Sequence, residues 1–265
     1  MNRWHRLFVL PLVILAALPL DEARADERLT TILASACRVY QNGHSGTAFF
    51  VTQTGKSPDQ PTRTVVVTAA HVWESIPEAE CRLVMRERRD SGEFQRREVP
   101  LVIRKDGQAL WTRHPDHDVA AMVVTLPEGL DRETFQFDQL AADEGNGAGV
   151  VVGHEAWVPC FPATLEANAA GWPLLRRGTI ASYPLRPIRF APTLLMDITA
   201  FGGDSGAPVV LLTDSGPLVC GLVLGMQRQT DRATLPFEER TVHTPLGVSI
   251  VLQAPLIRET LERLP

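Results

Sequence analysis

The sequence predicts an all-β chain closed by a C-terminal helix, and three observations predict it. Short apolar or alternating runs rich in Val, Thr and Phe recur along the chain, separated by Gly, Pro and Asp clusters, which is strand patterning. Asn42-Gly43 stands between two such runs as a hairpin-type turn signal. The closing segment PLIRETLERL changes period: Ile257, Leu261 and Leu264 form a helical stripe, which predicts a helix over 255–264.

The strands expected in the first half are Arg38–Gln41, Thr47–Thr52, Thr64–Thr68, Arg82–Met85, Val99–Ile103 and Asp118–Val124. A stretch from Leu126 to about Ala148, containing Pro127, Gly129 and AADEGNGA, reads as a linker. The second half offers Gly149–Val152, Gly178–Ser182, Thr193–Met196, Pro208–Leu212, Leu218–Leu224 and Gly247–Leu252. No internal repeat or low-complexity tract interrupts them.

The amino terminus carries an export pattern over residues 1–25. Arg3 and Arg6 precede the apolar run Leu7–Leu20, and Ala23-Arg24-Ala25 fits a small-x-small cleavage site, so the expected mature chain begins at Asp26. A membrane anchor is the competing reading, but a spanning helix needs about 20 apolar residues. Export predicts a periplasmic or extracellular protein, with no membrane association after cleavage. The net charge of −5 on 265 residues, with no basic stripe, argues against nucleic acid as a partner. Four cysteines, Cys37, Cys81, Cys160 and Cys220, point to two disulfides in an exported chain, with three connectivities open. Buried free thiols are the alternative. No C-x-x-C spacing favours structural zinc.

Three segments carry chemistry. In TVVVTAAHVW a β run ends and His71 follows small residues. In HPDHDVAAMVV, Asp118 opens an apolar run. In FGGDSGAPVVL, Ser205 sits among glycines. A serine hydroxyl becomes a useful nucleophile when a neighbouring base takes its proton. Histidine suits that role because it titrates near neutrality. A carboxylate beside it fixes the imidazole tautomer and stabilises the imidazolium. Glycines before the serine let backbone N–H groups, here those of Gly203 and Ser205, face a developing oxyanion. Each segment alone reads more simply as a packed histidine, a turn aspartate or a tight turn. Together, in the order His, Asp, Ser, they match the chain order of chymotrypsin-like enzymes. Asp118 is preferred to Asp116 because the apolar run comes directly after it. His114, Asp116, His117 and Asp118 imitate a metal cluster, but turn signals and the lack of a helical period argue against one, and no metal or other cofactor is expected. His44 and His154 read as loop or strand-end residues.

On these motifs the chain resembles the trypsin-like serine peptidases, and among them the bacterial exported branch. TAAH at Thr68–His71, HDVAAM around Asp118 and GGDSGAP at Gly202–Pro208 carry the resemblance. GTAFFV, RRGTIAS, LVCGLVLG and LGVSIVLQAPLIRETL extend it over about Cys37 to Leu264. It implies two antiparallel six-stranded β-barrels, one over 26–130 with His71 and Asp118, the other over 131–265 with Ser205 and the closing helix. It implies a serine endopeptidase whose partner is a protein or peptide substrate, and pairing of Cys37 with Cys81 and of Cys160 with Cys220. Counted from Ser205, Thr199 falls at the pocket floor, with Leu224, Gly225 and Met226 along a wall. With no acid at 199, preference for Arg or Lys is not expected, and Met226 would favour small or medium apolar side chains.

The chain departs from the family in three places. Ala207 and Met226 stand where glycines are usual. The IVGG-like start, whose freed amine pairs with the acid before the serine, is missing, so Asp204 needs another partner. A barrel that binds or scaffolds without catalysis is the alternative function. A chaperone-like protease with appended peptide-binding domains is disfavoured, since no residues come after the closing helix for such a domain.

Overall fold

A computed structural model describes residues 20–55, 61–144, 149–235 and 238–265. It is mostly β, with helices at both ends of the described chain. Helix α1 is Leu20–Ala34. The first-half strands are β1 Ala36–Gln41, β2 His44–Gln53, β3 Arg63–Thr68, β4 Glu80–Arg88 and β5 Phe94–Val102, with helix α2, Ala70–Glu74, between β3 and β4. Short strands come next: β6 Arg104–Lys105, β7 Gln108–Ala109, β8 Thr112–Arg113, β9 Ala120–Val124, β10 Leu130–Asp131 and β11 Phe135–Gln136. The second half has β12 Glu155–Cys160, β13 Leu174–Ile180, β14 Thr193–Asp197, β15 Pro208–Thr213, β16 Gly216–Leu235 and β17 Glu238–Gln253, then helix α3, Ala254–Glu262.

The second-half strands form a closed six-stranded barrel in the order β12-β13-β14-β17-β16-β15. The first-half strands form one sheet along the path β10-β4-β1-β2-β3-β9-β8, with β5 on β4 and β11 on β2. Among the described residues its pairings run as an open path, so one closed barrel is seen there where two were expected. Apolar residues of both sheets meet in one buried cluster.

Local chemistry explains the main elements. Asn42 and Gly43 both have positive φ, 43° and 85°, which lets Gln41 pair with His44 across a tight hairpin. In β2, Ala48 to Val51 are all fully buried, as expected of a strand covered on both faces. Helix α3 starts with Pro255 in its first turn and buries Ile257 and Leu261. Arg258 donates to the carbonyls of Phe137 and Leu140 at 2.9 and 3.0 Å, which ties α3 to the segment between the two halves.

Several expectations change. Gly149–Val152 is not a strand; β12 lies a few residues on, where Ala156, Val158 and Cys160 turn inward and Pro159 weakens the strand signal. The expected linker is not bare, since β10, β11 and a bridge from Leu140 to Val219 lie within it; residues 145–148 lie outside the described residues. All four cysteines are buried free thiols, not disulfides. The register Arg38–Val84, Val39–Leu83 and Tyr40–Arg82 staggers Cys37 along the strand from Cys81, and Cys220 sits in the bulge of β16 opposite β15. The run Leu7–Leu20 lies almost wholly outside the described residues. The Ala25–Asp26 junction falls inside α1, and among the described residues no helix is long and apolar enough to cross a membrane.

Candidate active site

His71, Asp118 and the serine turn converge where the two sheets meet. β3 ends at Thr68, and His71 rides in the short helix α2. Asp118 lies just before β9, the neighbour of β3. This pairing brings the carboxylate across to the imidazole: Asp118 Oδ2 lies 2.6 Å from His71 Nδ1, and Asp118 Oδ1 accepts the His71 backbone N–H at 2.9 Å. Burial pushes the Asp118 carboxyl up, but the hydrogen bonds from the His71 ring and amide, with the charges of His71 and Arg113, outweigh it and hold the group below its usual range. An ionised Asp118 requires the proton on Nδ1, which leaves Nε2 as the basic nitrogen.

The neighbouring loop supports Asp118. Buried His114 accepts the amides of Asp116 and His117 at Nδ1, each at 3.2 Å, and its Nε2 lies 3.2 Å from Glu259 of α3. Asp116 is exposed. Among the described residues no group of three His, Cys, Asp or Glu side chains is arranged to hold a metal.

Ser205 comes directly after the turn Phe201–Asp204. Its backbone is seated on the first sheet: the Ser205 carbonyl accepts the Thr47 amide at 2.8 Å. Gly206 packs so tightly against β2 and β3 that an added Cβ would lie 2.1 Å from the Thr47 carbonyl and 2.3 Å from the Thr68 hydroxyl, at a φ of +88°. Because Thr68 is three residues before His71, the serine turn abuts the histidine segment. The Ser205 hydroxyl donates to the Leu224 carbonyl at 3.0 Å.

The peptide planes of the turn set which N–H groups remain available, because N–H and C=O point opposite ways in a trans peptide. The Gly202 carbonyl accepts the Ala163 amide at 2.7 Å, the Gly203 carbonyl accepts the Thr47 hydroxyl at 2.7 Å, and the Asp204 carbonyl accepts the Ala207 amide at 2.9 Å. The amides of Asp204 and Gly206 go to the carbonyls of Phe201 and Val223. Among the described residues the amides of Gly203 and Ser205, the two expected oxyanion donors, have no protein acceptor. Gly203 reaches this geometry at a φ of +100°, where an added Cβ would lie 2.3 Å from the Phe161 carbonyl.

The partner that the sequence left open for Asp204 is Arg176, on β13. Its Nη1 donates to Asp204 Oδ2 at 3.0 Å, its Nη2 donates to the Thr199 carbonyl at 2.5 Å, and its guanidinium lies 5.4 Å from the centre of the Phe201 ring. The Phe201 amide also donates to Asp204 Oδ2, at 2.9 Å. Burial nonetheless raises the Asp204 carboxyl above its usual range, against the lowering effect of the Phe201 amide and Arg176. Nothing in the motif RRGTIAS marked Arg176 rather than Arg177. Only the alternation of β13 separates them: Arg177 is exposed and meets Glu155 at the surface.

The expected pocket residues are partly gathered. Leu224 adjoins Ser205 through its carbonyl, and the bulges of β16 fall around Leu224 and Gln227. Gly225 and Met226 pair with Ile250 and Ser249 of β17, and the Ser249 hydroxyl donates to the Ile198 carbonyl, next to Thr199.

No family model and no curated protein matches the chain. Among solved structures it is similar to Rv3671c from M. tuberculosis H37Rv, a serine-to-alanine mutant in an inactive form. That likeness has 18% identity, 89% of this chain and 88% of the other covered, and a TM-score of 0.48. A second structure, the Rv3671c protease in its inactive form, has 16% identity, 92% and 95% coverage, and a TM-score of 0.48.

Proposed function

We propose that the chain is a serine endopeptidase that cleaves peptide bonds through an acyl-enzyme. The observation that carries the reading is His71 Nδ1 lying 2.6 Å from Asp118 Oδ2, beside a serine turn in which the Gly203 and Ser205 amides have no protein acceptor among the described residues. His71 Nε2 takes the Ser205 hydroxyl proton as Oγ bonds to the scissile carbonyl carbon. The carbonyl oxygen becomes an oxyanion and accepts the Gly203 and Ser205 amides. The C–N bond then breaks, its electron pair leaves on the amine, and His71 returns the proton to that amine. Water, deprotonated by the same histidine, hydrolyses the ester.

The pocket reading comes from Thr199 and Met226: small or medium apolar side chains are accepted at the cleaved position, and strong cleavage after Arg in a peptide library would overturn it. The export reading rests on residues 1–25 and predicts a periplasmic or extracellular enzyme. Closure of the first sheet into a second six-stranded barrel belongs to the same proposal.

One observation favours the alternative of a silent binding or scaffold protein: the Ser205 hydroxyl is directed to Leu224 rather than to His71. A fluorophosphonate probe separates the two. Labelling of the wild type that disappears in Ser205→Ala supports the hydrolase, and an unlabelled wild type supports the scaffold.

A further inference from the structure

Thr47 makes an unusual set of contacts for a strand residue. It is fully buried in β2, and each of its polar groups is spent on the elements that build the candidate site. Its amide donates to the Ser205 carbonyl at 2.8 Å. Its hydroxyl crosses to the other half of the molecule and donates to the Gly203 carbonyl at 2.7 Å. Its own carbonyl accepts the Thr68 hydroxyl at 2.7 Å, at the end of the strand that leads into His71.

These contacts fall on the two peptide planes that flank Asp204-Ser205. The amide of Thr47 fixes the 205–206 peptide, and its hydroxyl fixes the 203–204 peptide. Gly203 lacks a side chain and sits at positive φ, so its own torsions hold its neighbouring peptides only weakly. The 203–204 peptide has one bond within the turn, from the Asp204 amide to the Phe201 carbonyl at 3.1 Å, and its carbonyl is held from outside the turn. The Ala163 amide holds the peptide on one side of Gly203, and the Thr47 hydroxyl holds the peptide on the other side. Valine would fill the same volume and suit the strand equally well, so packing does not account for the hydroxyl.

We infer that Thr47 is a positioning residue that aims the Gly203 and Ser205 amides at the substrate oxyanion from the opposite half of the molecule. The inference rests on the hydrolase reading above. Oxyanion donors act on the transition state more than on the bound substrate, so a misaimed pair lowers kcat and leaves KM nearly unchanged. Loss of a whole oxyanion donor costs about 100- to 1000-fold in kcat, and loosening one costs less, about 10- to 100-fold.

The test measures hydrolysis of p-nitrophenyl butyrate by the wild type, Thr47→Val and Thr47→Ser, with melting temperatures for each. The expected result is a kcat about 10- to 100-fold lower for Thr47→Val, KM within about twofold, and recovery in Thr47→Ser to within about threefold of wild type. A Thr47→Val enzyme with wild-type kcat overturns the inference, as does a Thr47→Ser enzyme as poor as the valine variant. If Thr47→Val does not fold, Thr47→Cys, which keeps a weak donor of similar bulk, replaces it. It is expected to lose kcat several-fold at constant KM, and wild-type kcat overturns the inference. A wild type that neither turns over the ester nor labels with a fluorophosphonate overturns the hydrolase reading, and the inference falls with it. An active wild type with an indifferent Thr47→Val overturns the inference alone.

Discussion

Replacing Arg176 with methionine tests whether the serine turn is held from within by the Arg176–Asp204 pair. The Asp204 side chain is 2% exposed and that of Arg176 22%. Removing one partner of a buried ion pair costs about 3–5 kcal/mol, because a charge is left uncompensated. The partial exposure of Arg176 reduces this to about 2–4 kcal/mol. At about 2–4 °C per kcal/mol for a chain of this size, the melting temperature should fall by about 5–15 °C. The loss should depend on pH with a definite sign. Burial has already raised the Asp204 carboxyl. A raised carboxyl favours the fold at low pH, and that contribution is lost as pH rises from the ordinary aspartate range through the folded value. Losing Arg176 removes one of the influences that lower it, so the window extends upward. The deficit relative to wild type should therefore be larger at pH 8 than at pH 5. Thermal unfolding monitored by circular dichroism at both pH values reads it. Adding Asp204→Asn should restore much of the loss at pH 8. A deficit below about 0.5 kcal/mol, or one equal at both pH values, would refute the reasoning.

Asp118→Asn should lower turnover by about four orders of magnitude, because an amide cannot hold the Nδ1–H tautomer as an ionised oxygen does; near-normal ester turnover would mean the aspartate is misassigned. Asp118 contributes to stability with the opposite sign from Asp204: its lowered carboxyl favours the fold above the ordinary aspartate range, and that contribution is lost as pH falls through the folded value. Acid titration of wild type and Asp118→Asn should therefore show the wild-type advantage shrinking with acid. The cysteine thiols of Cys37, Cys81 and Cys220 are pushed by burial to about 12. The folded protein should react slowly with a thiol reagent, the denatured one should yield all four thiols, and added reductant should leave the melting temperature unchanged. A reductant-dependent fall of several degrees would reveal a disulfide.

Much of the β character is legible in the sequence because strand alternation, Asn-Gly turns and a change to helical period are local signals. Asn42-Gly43 and the stripe of α3 are signals of this kind. β12 is not, since the Val-rich run before it gives the stronger local signal and Pro159 obscures its own alternation. The cysteines illustrate the limit of counting: an even number permits pairing, but strand register sets which sulfurs can meet.

The residues of the candidate site divide along the same line. The sequence by itself determined that His71, Asp118 and Ser205 stand in segments suited to nucleophilic chemistry, because each signal is a short run of neighbouring residues. Only the tertiary structure decided what surrounds them. Arg176 meets Asp204 across 28 positions, and the Thr47 hydroxyl meets the Gly203 carbonyl across 156. Such contacts leave no periodic or compositional trace, because they depend on how two sheets are pressed together rather than on the order of neighbours along the chain.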